Sequence, residues 1–446
     1  MPKVIYIICD GLGDRPNGQS ETPLSAAKKT NIDALARGGV NGLMHSLGDG
    51  SVPESDTAHL ALFGYDLKKH YRGRGPYEAL GAGMEPIKGD VAFRFNFATM
   101  EGGIITDRRA GRPPSLKALE PTISGITLDG CEVIFRTTVE HRGALILRGN
   151  GLSGAVSDTD PHNEGMAVLD CKPLDETPEA RRTAGLVNEF TRKADALLAA
   201  HAFNNGREKP ANAVLLRGAG SYAKVLSIKE RYGLKTAFIA GGALYKGVAR
   251  AAGMDVPNVQ GATGTWETDL DAKAAAVLQA LETHDIVFMH VKATDSFSHD
   301  GNENGKIMMI ERLDAAVGTL MREAPDATII ITGDHSSPVS LRAHTADPVP
   351  VLVSGPGIAG IAPDSLLKFD EMSCAQGALG HLNGQLLFRV AVGLAKGNQS
   401  KLAALIEYHS REMRELAEKE RIAIGCAPKG RENCGGKNQR QPPKLR

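Results

Sequence analysis

The chain has 446 residues, of which 42% are hydrophobic, and this length suffices for two domains or for one large domain with an insertion. Its 52 Lys and Arg residues balance its 52 Asp and Glu residues, so the formal net charge is zero. Because the charges balance, no net positive potential attracts nucleic acid or an anionic membrane. The expected partner is a small molecule.

The N-terminal segment MPKVIYIICDG is apolar but short, because an aspartate interrupts it at position 10. It is too short for a signal peptide or a membrane span, and it predicts a strand. Six cysteines are scattered along the chain without a C-x-x-C pair, which argues against a zinc ribbon or a disulfide framework. These features together predict a cytoplasmic, reducing setting.

Short apolar runs rich in Val and Ile alternate along the chain with helical patterns. Buried strands are predicted over residues 4–9, 214–216, 236–240, 286–291, 328–332 and 349–353. Helices are predicted over residues 30–37, 269–282 and 306–323. This alternation predicts an α/β fold with a doubly wound, mostly parallel sheet.

The segment from about residue 90 to residue 147 differs, because DVAFRFNFAT, EVIFRTTV and GALILRG follow one another with few helical stretches between them. This pattern predicts an inserted α+β domain. We expect a discontinuous core domain over residues 1–72 and 205–422, with the inserted domain over residues 73–204. The tail, residues 423–446, is rich in Gly, Pro, Gln and basic residues and is expected to be disordered.

Ligands of open α/β sheets gather beyond the carboxyl ends of the strands, so the residues that follow each strand are the first candidates. Three predicted strands end in metal-ligating residue types, and a further histidine precedes the next strand: Asp10, Asp295, His299, Asp334, His335 and His344. Each residue taken singly has an ordinary explanation as a cap, a turn residue or a surface histidine. Together they match a two-metal site with mixed nitrogen and oxygen ligands.

The stretch VPESDTAHLALFGYD places Ser55 between Glu54 and Asp56, whose negative charges oppose formation of an alkoxide. A divalent cation resolves this conflict, because it lowers the pKa of a coordinated hydroxyl. Glu54 and Asp56 are then expected to be solvated or to support the ligands. Two cations about 3.5 to 4 Å apart suit phosphoryl transfer. The sequence contains no G-x-x-x-x-G-K-[ST] loop, and the stretch GRGPYEALGAG does not fit the G-x-G-x-x-G pattern of nucleotide-phosphate loops.

Several motifs of the sequence resemble those of one family. They include ICDGLGDRP, SDTAHLALFGYD, YRGRGPYEALGAGM, AFRFNFAT, SDTDPHNEG, HVKATDSFSHDG, TGDHSSP and HTADPVPVL. On these motifs the chain is similar to the archaeal-type 2,3-bisphosphoglycerate-independent phosphoglycerate mutases of the alkaline phosphatase superfamily, from residue 3 to about residue 400. The resemblance implies an alkaline phosphatase-like core sheet and an inserted domain that acts as a substrate-binding lid.

The resemblance also divides the metal ligands into two sets, which spacing alone does not. It implies one metal held by Asp10, Ser55, Asp334 and His335, and a second held by Asp295, His299 and His344. Ser55 is then the nucleophile that becomes phosphoserine. Mn2+ is the expected ion, with Zn2+ and Mg2+ as alternatives, and the histidines favour the softer cations over Mg2+.

The implied reaction is that of a glycolytic isomerase, an intramolecular phosphotransferase that interconverts 3-phosphoglycerate and 2-phosphoglycerate without 2,3-bisphosphoglycerate. Ser55 takes the phosphoryl group, and the bound glycerate turns and takes it back on its other hydroxyl. A lid that excludes water and holds this small phosphorylated three-carbon acid is expected to carry guanidinium groups. The residues expected to bind substrate are Arg94, Arg108, Arg109, Arg112, Asp160, His162 and Lys292.

Thr294 and Ser298 stand where the family commonly has proline and a small residue, and these differences bear on the substrate more than on the chemistry. The same serine and metals suit another acceptor, as in a metal-dependent phosphatase or a homoserine kinase-like phosphotransferase. A further alternative is a non-enzymatic relative that binds a metal or a metabolite. Loss of the nucleophile or of a ligand set would mark that alternative, and the sequence retains both.

Overall fold

The computed structural model describes residues 2–16, 21–48 and 50–423, with the backbone alone over residues 412–423. The strands are β1 Lys3–Cys9, β2 Val40–His45, β3 Val91–Glu101, β4 Ile104–Asp107, β5 Cys131–Thr137, β6 Arg142–Gly149, β7 Ala213–Ser221, β8 Thr236–Ile239, β9 Ile286–Val291, β10 Ala327–Thr332, β11 Val349–Ser354 and β12 Gly380–Asn383. The helices are α1 Pro23–Ala26, α2 Thr30–Gly38, α3 Ser55–Leu62, α4 Leu67–His70, α5 Gly75–Gly81, α6 Glu120–Ser124, α7 Pro178–Ala199, α8 Ile228–Tyr232, α9 Ala243–Ala251, α10 Leu270–Leu281, α11 Ala293–Asp300, α12 Glu303–Glu323, α13 Glu371–Cys374, α14 Gly384–Ala395 and α15 Ser400–Ala423.

Seven strands form the large sheet, in the order β12, β2, β11, β10, β1, β9, β8. All of them run parallel except β11, which is antiparallel to both of its neighbours. Side chains of β1 alternate between two hydrophobic clusters, with Tyr6 and Ile8 in one and Ile5 and Ile7 in the other. Burial on both faces explains the continuous apolar runs of the sequence. The predicted doubly wound, mostly parallel sheet is confirmed.

Five consecutive strands, β3 to β7, form a smaller sheet in which every pairing is antiparallel. One face of this sheet packs against α7 through a hydrophobic cluster that includes Phe93, Phe95 and Phe190. The ring of Phe95 also stacks on that of Phe135, with centroids 4.1 Å apart. This sheet and α7 are the α+β insertion that the predicted fold contains.

One predicted strand of the large sheet is wrong, because residues 214–216 belong to the smaller sheet. There β7 pairs with β3, and Arg217 lies opposite Arg94. An apolar run does not distinguish the two sheets, since both bury strands of similar composition. The smaller sheet therefore continues past residue 204, where the predicted insertion ends, and the domain boundaries stay a prediction.

Helix α5 connects the two sheets, because it packs on β3 and on α9. Glycines permit both contacts. A Cβ atom on Gly247 would lie 1.7 Å from the carbonyl oxygen of Tyr77, and one on Gly75 would lie 1.9 Å from that of Ala92. A residue with a side chain cannot occupy such a position, so backbone contact holds α5 between the sheets.

Within the part of the chain that the structure describes, no helix combines the length and the apolar character needed to cross a membrane. The cysteines in this part are unpaired and buried: Cys9, Cys131, Cys171 and Cys374. The predicted tail lies outside the described residues from position 424 onward. The cytoplasmic setting and the disorder of the tail therefore stay predictions.

Candidate active site

Three adjacent strands of the large sheet bring aspartates to one edge. β1 lies between β9 and β10 and runs parallel to both. Asp10 follows β1, Asp295 lies on α11 just after β9, and Asp334 follows β10. Because parallel strands end at the same edge, the three carboxylates converge there, and each residue is at most 1% exposed.

Asp10, Asp334 and His335 form one group, whose ligand atoms all lie within 4.8 Å of one another. His335 Nε2 is 3.5 Å from Asp10 Oδ1 and 3.4 Å from Asp334 Oδ2. His335 Nε2 and Asp334 Oδ2 are both buried without a hydrogen-bond partner among the described residues. Buried polar atoms without a partner indicate a missing ligand, and a cation suits both atoms. The His335 ring stacks on that of His344 with centroids 3.7 Å apart, so a second group of donors adjoins the first.

Asp295, His299 and His344 form this second group. Asp295 Oδ1 is 3.4 Å from His299 Nε2 and 3.5 Å from His344 Nε2, and the two imidazole nitrogens are 3.2 Å apart. The Nδ1 atoms of the two rings contact backbone carbonyls, that of Arg342 at 2.8 Å and that of Pro53 at 2.9 Å. Metal-ligating histidines are held in this way, because a carbonyl acceptor fixes the tautomer that leaves Nε2 free to coordinate.

One lysine reaches both groups. Lys292 Nζ contacts the Asp295 carboxylate and lies 3.2 Å from Asp10 Oδ1. Burial and the neighbouring charge of Asp10 nevertheless hold the pKa of Asp334 well above its usual range. The edge therefore contains more buried negative charge than one ammonium group neutralises. Carboxylates and imidazoles in this arrangement fit divalent cations.

Ser55 begins α3 and lies beside the first group. Nδ1 of His59, one helical turn further on, is 2.7 Å from the Ser55 carbonyl oxygen and 3.5 Å from Asp334 Oδ2. The hydroxyl of Tyr245 lies 3.4 Å from Ser55 Oγ and donates to it. Ser55 is the first residue of this helix, where the helix dipole favours negative charge.

The two carboxylates that flank this serine lie in different environments. Glu54 is exposed and precedes α3 as its N-cap, whereas Asp56 is 1% exposed. Asp56 Oδ2 accepts a 2.8 Å hydrogen bond from the hydroxyl of Tyr71. Burial lowers the pKa of Arg74, but the charges of Glu78 and Asp56 outweigh it and raise that pKa overall. The burial of Asp56 therefore overturns the first alternative, a solvated residue, while the second, a residue that supports the ligands, stays a prediction.

Two further buried histidines support these groups. His290, on β9, places Nε2 3.1 Å from Asp10 Oδ2, and His59 contacts Ser55 and Asp334 as described. Burial lowers the pKa of His59 to about 3 and also lowers that of His290, so both rings are neutral. The i, i+4 spacing of Ser55 and His59 could have identified His59 from the sequence, because residues with this spacing share one face of a helix. His290 lies within a continuous apolar strand, and no sequence pattern marks it.

The face of the smaller sheet turned away from α7 carries a guanidinium cluster, defined here as Arg94, Arg112, Arg142 and Arg217 around His141. Burial and the charges of Arg142, Arg112, Arg94 and Arg217 lower the pKa of His141 to about 3. The Nε atoms of Arg142 and Arg217 are buried and have no hydrogen-bond partner among the described residues. Such an excess of buried cationic donors fits an anion.

Two carboxylates balance part of this positive charge. Glu78 Oε1, on α5, accepts from Arg74 Nε at 2.9 Å and lies 3.7 Å from Arg94 Nε. Asp160 is fully buried and accepts both Arg108 Nε at 3.1 Å and Arg108 Nη2 at 2.5 Å. The predicted substrate residue Asp160 therefore holds an arginine in place through a bidentate pair.

A cavity of about 500 Å³ adjoins this cluster. Its lining includes Arg112 of the cluster, Arg108, Arg109 and His162. Lys292 lies instead with the carboxylates of the large sheet. The sequence therefore predicted residues of both regions, but it did not indicate how they divide between them.

The doubly wound sheet and the donors at its edge define the class of this molecule, an α/β protein with a candidate centre for divalent cations. A family model described as 2,3-bisphosphoglycerate-independent phosphoglycerate mutase matches residues 36–204. A Methanocaldococcus jannaschii protein with that name, numbered 1, is 42% identical over 406 residues, which cover 89% of this chain and 98% of the relative. An Archaeoglobus fulgidus protein of the same name is 44% identical over 402 residues, covering 88% and 97%. The chain belongs to the 2,3-bisphosphoglycerate-independent phosphoglycerate mutase family.

Solved structures agree with this assignment. The PH0037 protein from Pyrococcus horikoshii superposes with a TM-score of 0.76 at 33% identity, covering 89% of this chain and 98% of that chain. The cofactor-independent phosphoglycerate mutase from Thermoplasma acidophilum gives a TM-score of 0.63 at 35% identity, covering 89% and 100%. The family resemblance predicted from the motifs is confirmed.

Proposed function

We propose that this protein interconverts 3-phosphoglycerate and 2-phosphoglycerate without 2,3-bisphosphoglycerate, through a phosphoserine on Ser55. The observation that carries the proposal is the position of Ser55 at the start of α3, beside the buried carboxylates and histidines of the large-sheet edge. The names of the relatives support the isomerase assignment. The substrate is then a small phosphorylated three-carbon acid.

The proposed centre holds two divalent cations. One set of ligands is Asp10, Ser55, Asp334 and His335, and the other is Asp295, His299 and His344. The His335 imidazole also lies within 4.8 Å of the ligand atoms of Asp295 and His344, so it stands between the two sets. When bound, the cations would lower the pKa of the serine hydroxyl and neutralise the oxygens of the phosphoryl group. Mn2+ is the proposed native ion, because imidazoles mixed with carboxylates suit it better than Mg2+.

Other groups of the chain have proposed roles in the same cycle. The start of α3 offers N–H groups to the phosphoryl oxygens. Lys292, which reaches Asp10 and Asp295, adds a positive charge on the same side. The guanidinium cluster holds the carboxylate of the glycerate, since arginine binds carboxylates in bidentate fashion.

The smaller sheet has the proposed role of a lid. Glycerate must remain bound while Ser55 carries the phosphoryl group, because water would otherwise accept that group and release free phosphate. Glu78 on α5 links Arg94 to Arg74, whose pKa reflects the charge of Asp56 next to the nucleophile. Two ion pairs and this electrostatic interaction between Arg74 and Asp56 support a connection from the guanidinium cluster to the serine.

A phosphorus NMR time course of the metal-loaded protein with 3-phosphoglycerate tests the proposal. We expect 2-phosphoglycerate to appear without free phosphate and without added bisphosphate. Ser55→Ala should lower turnover by about 10⁴-fold or more with its fold intact, while Ser51→Ala, on the exposed loop nearby, should leave turnover unchanged. If free phosphate is the main product, the protein is a phosphatase and the proposed isomerase activity is wrong. Full isomerase activity in Ser55→Ala would remove Ser55 from the mechanism.

A further inference from the structure

Tyr245 lies against the proposed nucleophile, although no sequence motif marks it. Its hydroxyl is 3.4 Å from Ser55 Oγ, and the residue is 5% exposed. It lies on α9, about 190 residues beyond Ser55 in the chain, so only the fold brings the two hydroxyls together. A buried hydroxyl needs a hydrogen-bond partner, and Ser55 Oγ is the partner within reach.

The tyrosine ring is fixed from two sides. It stacks on the ring of His290 with centroids 3.9 Å apart and an interplanar angle of 28°. On another side, a Cβ atom on Gly242 would lie 2.8 Å from Tyr245 Cδ2, so the backbone at the start of α9 touches the ring. The backbone contact of Gly247 with Tyr77 fixes the helix that carries it. Because its ring is already held, the Tyr245 hydroxyl loses little conformational entropy when it donates a hydrogen bond to Ser55 Oγ.

The Tyr245 hydroxyl donates its hydrogen bond to Ser55 Oγ. A phenol hydroxyl held in this position can stabilise negative charge on the oxygen that it faces.

We propose that Tyr245 is a catalytic residue that donates a hydrogen bond to Ser55 Oγ and stabilises the negative charge on this oxygen during both phosphoryl transfers. The inference rests on the proposed function, because it requires Ser55 to be the nucleophile. In the return step, the bond from phosphorus to Ser55 Oγ breaks while a bond to the substrate hydroxyl oxygen forms. The electron pair of the broken bond stays on Ser55 Oγ, which finally receives the proton lost by that hydroxyl. Tyr245 retains its own proton throughout.

Tyr245→Phe removes the donor and keeps the ring that stacks on His290. We expect kcat to fall by about 10²- to 10³-fold with KM within threefold of the wild-type value, as for other donors to a reacting oxygen. Bound metal and the unfolding midpoint should stay at wild-type levels. Tyr65→Phe is the matched control, since Tyr65 donates a 2.8 Å hydrogen bond to the Leu226 carbonyl away from the serine. That variant should keep wild-type kcat.

Acid-quenched samples, analysed by mass spectrometry for phosphate on Ser55, separate this inference from the function on which it rests. Wild-type protein that never carries phosphoserine would reject the proposed function itself. Phosphoserine that forms and disappears in Tyr245→Phe at wild-type rates would overturn the role of Tyr245 alone. Loss of metal or a lower unfolding midpoint in Tyr245→Phe would assign Tyr245 a structural role and would also overturn it.

Site-specific replacement of Tyr245 by 3-fluorotyrosine provides a second measurement. This residue keeps the ring, the stack on His290 and the hydroxyl, but its hydroxyl is a stronger acid and a stronger donor. We expect kcat to change at least twofold at constant KM. An unchanged kcat would show that the donor does not act on the reacting oxygen, and it would overturn the inference.

Discussion

The two sheets of this protein carry buried charges of opposite sign. The edge of the large sheet buries three aspartates with one lysine between them, whereas the smaller sheet crowds four arginines against two carboxylates. Each region therefore has a charge excess of one sign, and each requires a ligand of the other sign. Cations suit the first region and an anion suits the second. A substrate with a phosphate and a carboxylate matches this division, since one end can react while the other is held.

The two regions also differ in how their charges are anchored. The aspartates follow adjacent parallel strands, so the sheet itself fixes their spacing. Three of the arginines, Arg94, Arg142 and Arg217, lie on antiparallel strands, and Arg94 and Arg217 are opposite each other although they are distant in the chain. Substitutions at the edge of the large sheet should therefore lower kcat, and substitutions in the guanidinium cluster of the smaller sheet should raise KM.

Among the changes that test this comparison, the largest effect is expected from His344→Ala at the edge of the large sheet. The variant should lose about half of the bound metal and on the order of 10³-fold in kcat, because one cation loses an imidazole ligand. Metal analysis together with the NMR assay measures both effects. His284→Ala is the control, since His284 pairs with Asp255 away from this edge. Full metal content in His344→Ala would exclude it as a ligand.

A smaller effect, on binding, is expected from Arg94→Ala in the guanidinium cluster. Loss of one charge-assisted contact should raise KM by about 10- to 100-fold and increase free phosphate relative to 2-phosphoglycerate. Arg192→Ala removes an exposed arginine of α7 and should change neither quantity. Wild-type KM and product ratio in Arg94→Ala would assign this arginine a purely structural role and would break the comparison between the sheets.

Gly247→Ala tests the connection between the sheets at α5. Its Cβ atom would lie 1.7 Å from the Tyr77 carbonyl oxygen, so α5 and α9 must separate. We expect the free energy of unfolding to fall by about 2 kcal/mol in urea titrations. Gly185→Ala is the matched control, because nothing lies within 4 Å of that position on α7. Alanine there should stabilise the protein by up to about 1 kcal/mol. Equal stability of the two variants would contradict a close contact at α5.

The smallest effect is expected from Asp195→Asn on α7, beside the smaller sheet. Burial raises the pKa of Asp195 to about 7, although a 3.0 Å hydrogen bond from the Val214 N–H opposes the shift. A folded-state pKa above the unfolded value means that stability is present at low pH and is lost as pH rises from about 4 through about 7. Asn removes this loss, so the variant should be more stable than the wild type near pH 8 and should differ little from it near pH 4. An equal gain at both pH values would contradict the titration of Asp195.

The three aspartates at the edge of the large sheet could be predicted from the sequence because each of them lies just after a strand. An apolar run followed by Asp10, or by Asp334 and His335, is a local pattern, and adjacent parallel strands convert it into proximity. His299 and His344 were likewise recognised from motifs near strand ends. Their shared contact with Asp295 agrees with the predicted grouping, although which metal each residue holds stays a prediction.

The guanidinium cluster could be predicted only in part, because its members meet through pairing between distant strands. Arg94 was recognised from its motif, but Arg217 lies in a segment assigned to the wrong sheet. Tyr245 and His290 were missed for the same physical reason, since a ring stack leaves no periodic signal in either segment. Local patterns thus reveal residues at strand ends, and contacts across the fold need the structure.

The pairing of β3 with β7 has a consequence for how such a protein can diversify. The chain enters the smaller sheet at Val91 and leaves it at Ser221, and these two residues are partners in the register of neighbouring strands. A unit whose two ends lie side by side can be exchanged as a single module, while a short turn closes the gap in the remaining chain. Evolution or engineering can therefore replace the smaller sheet and retain the donors at the edge of the large sheet. Under the proposed function, such an exchange would alter the choice of acceptor and leave the phosphoryl chemistry in place.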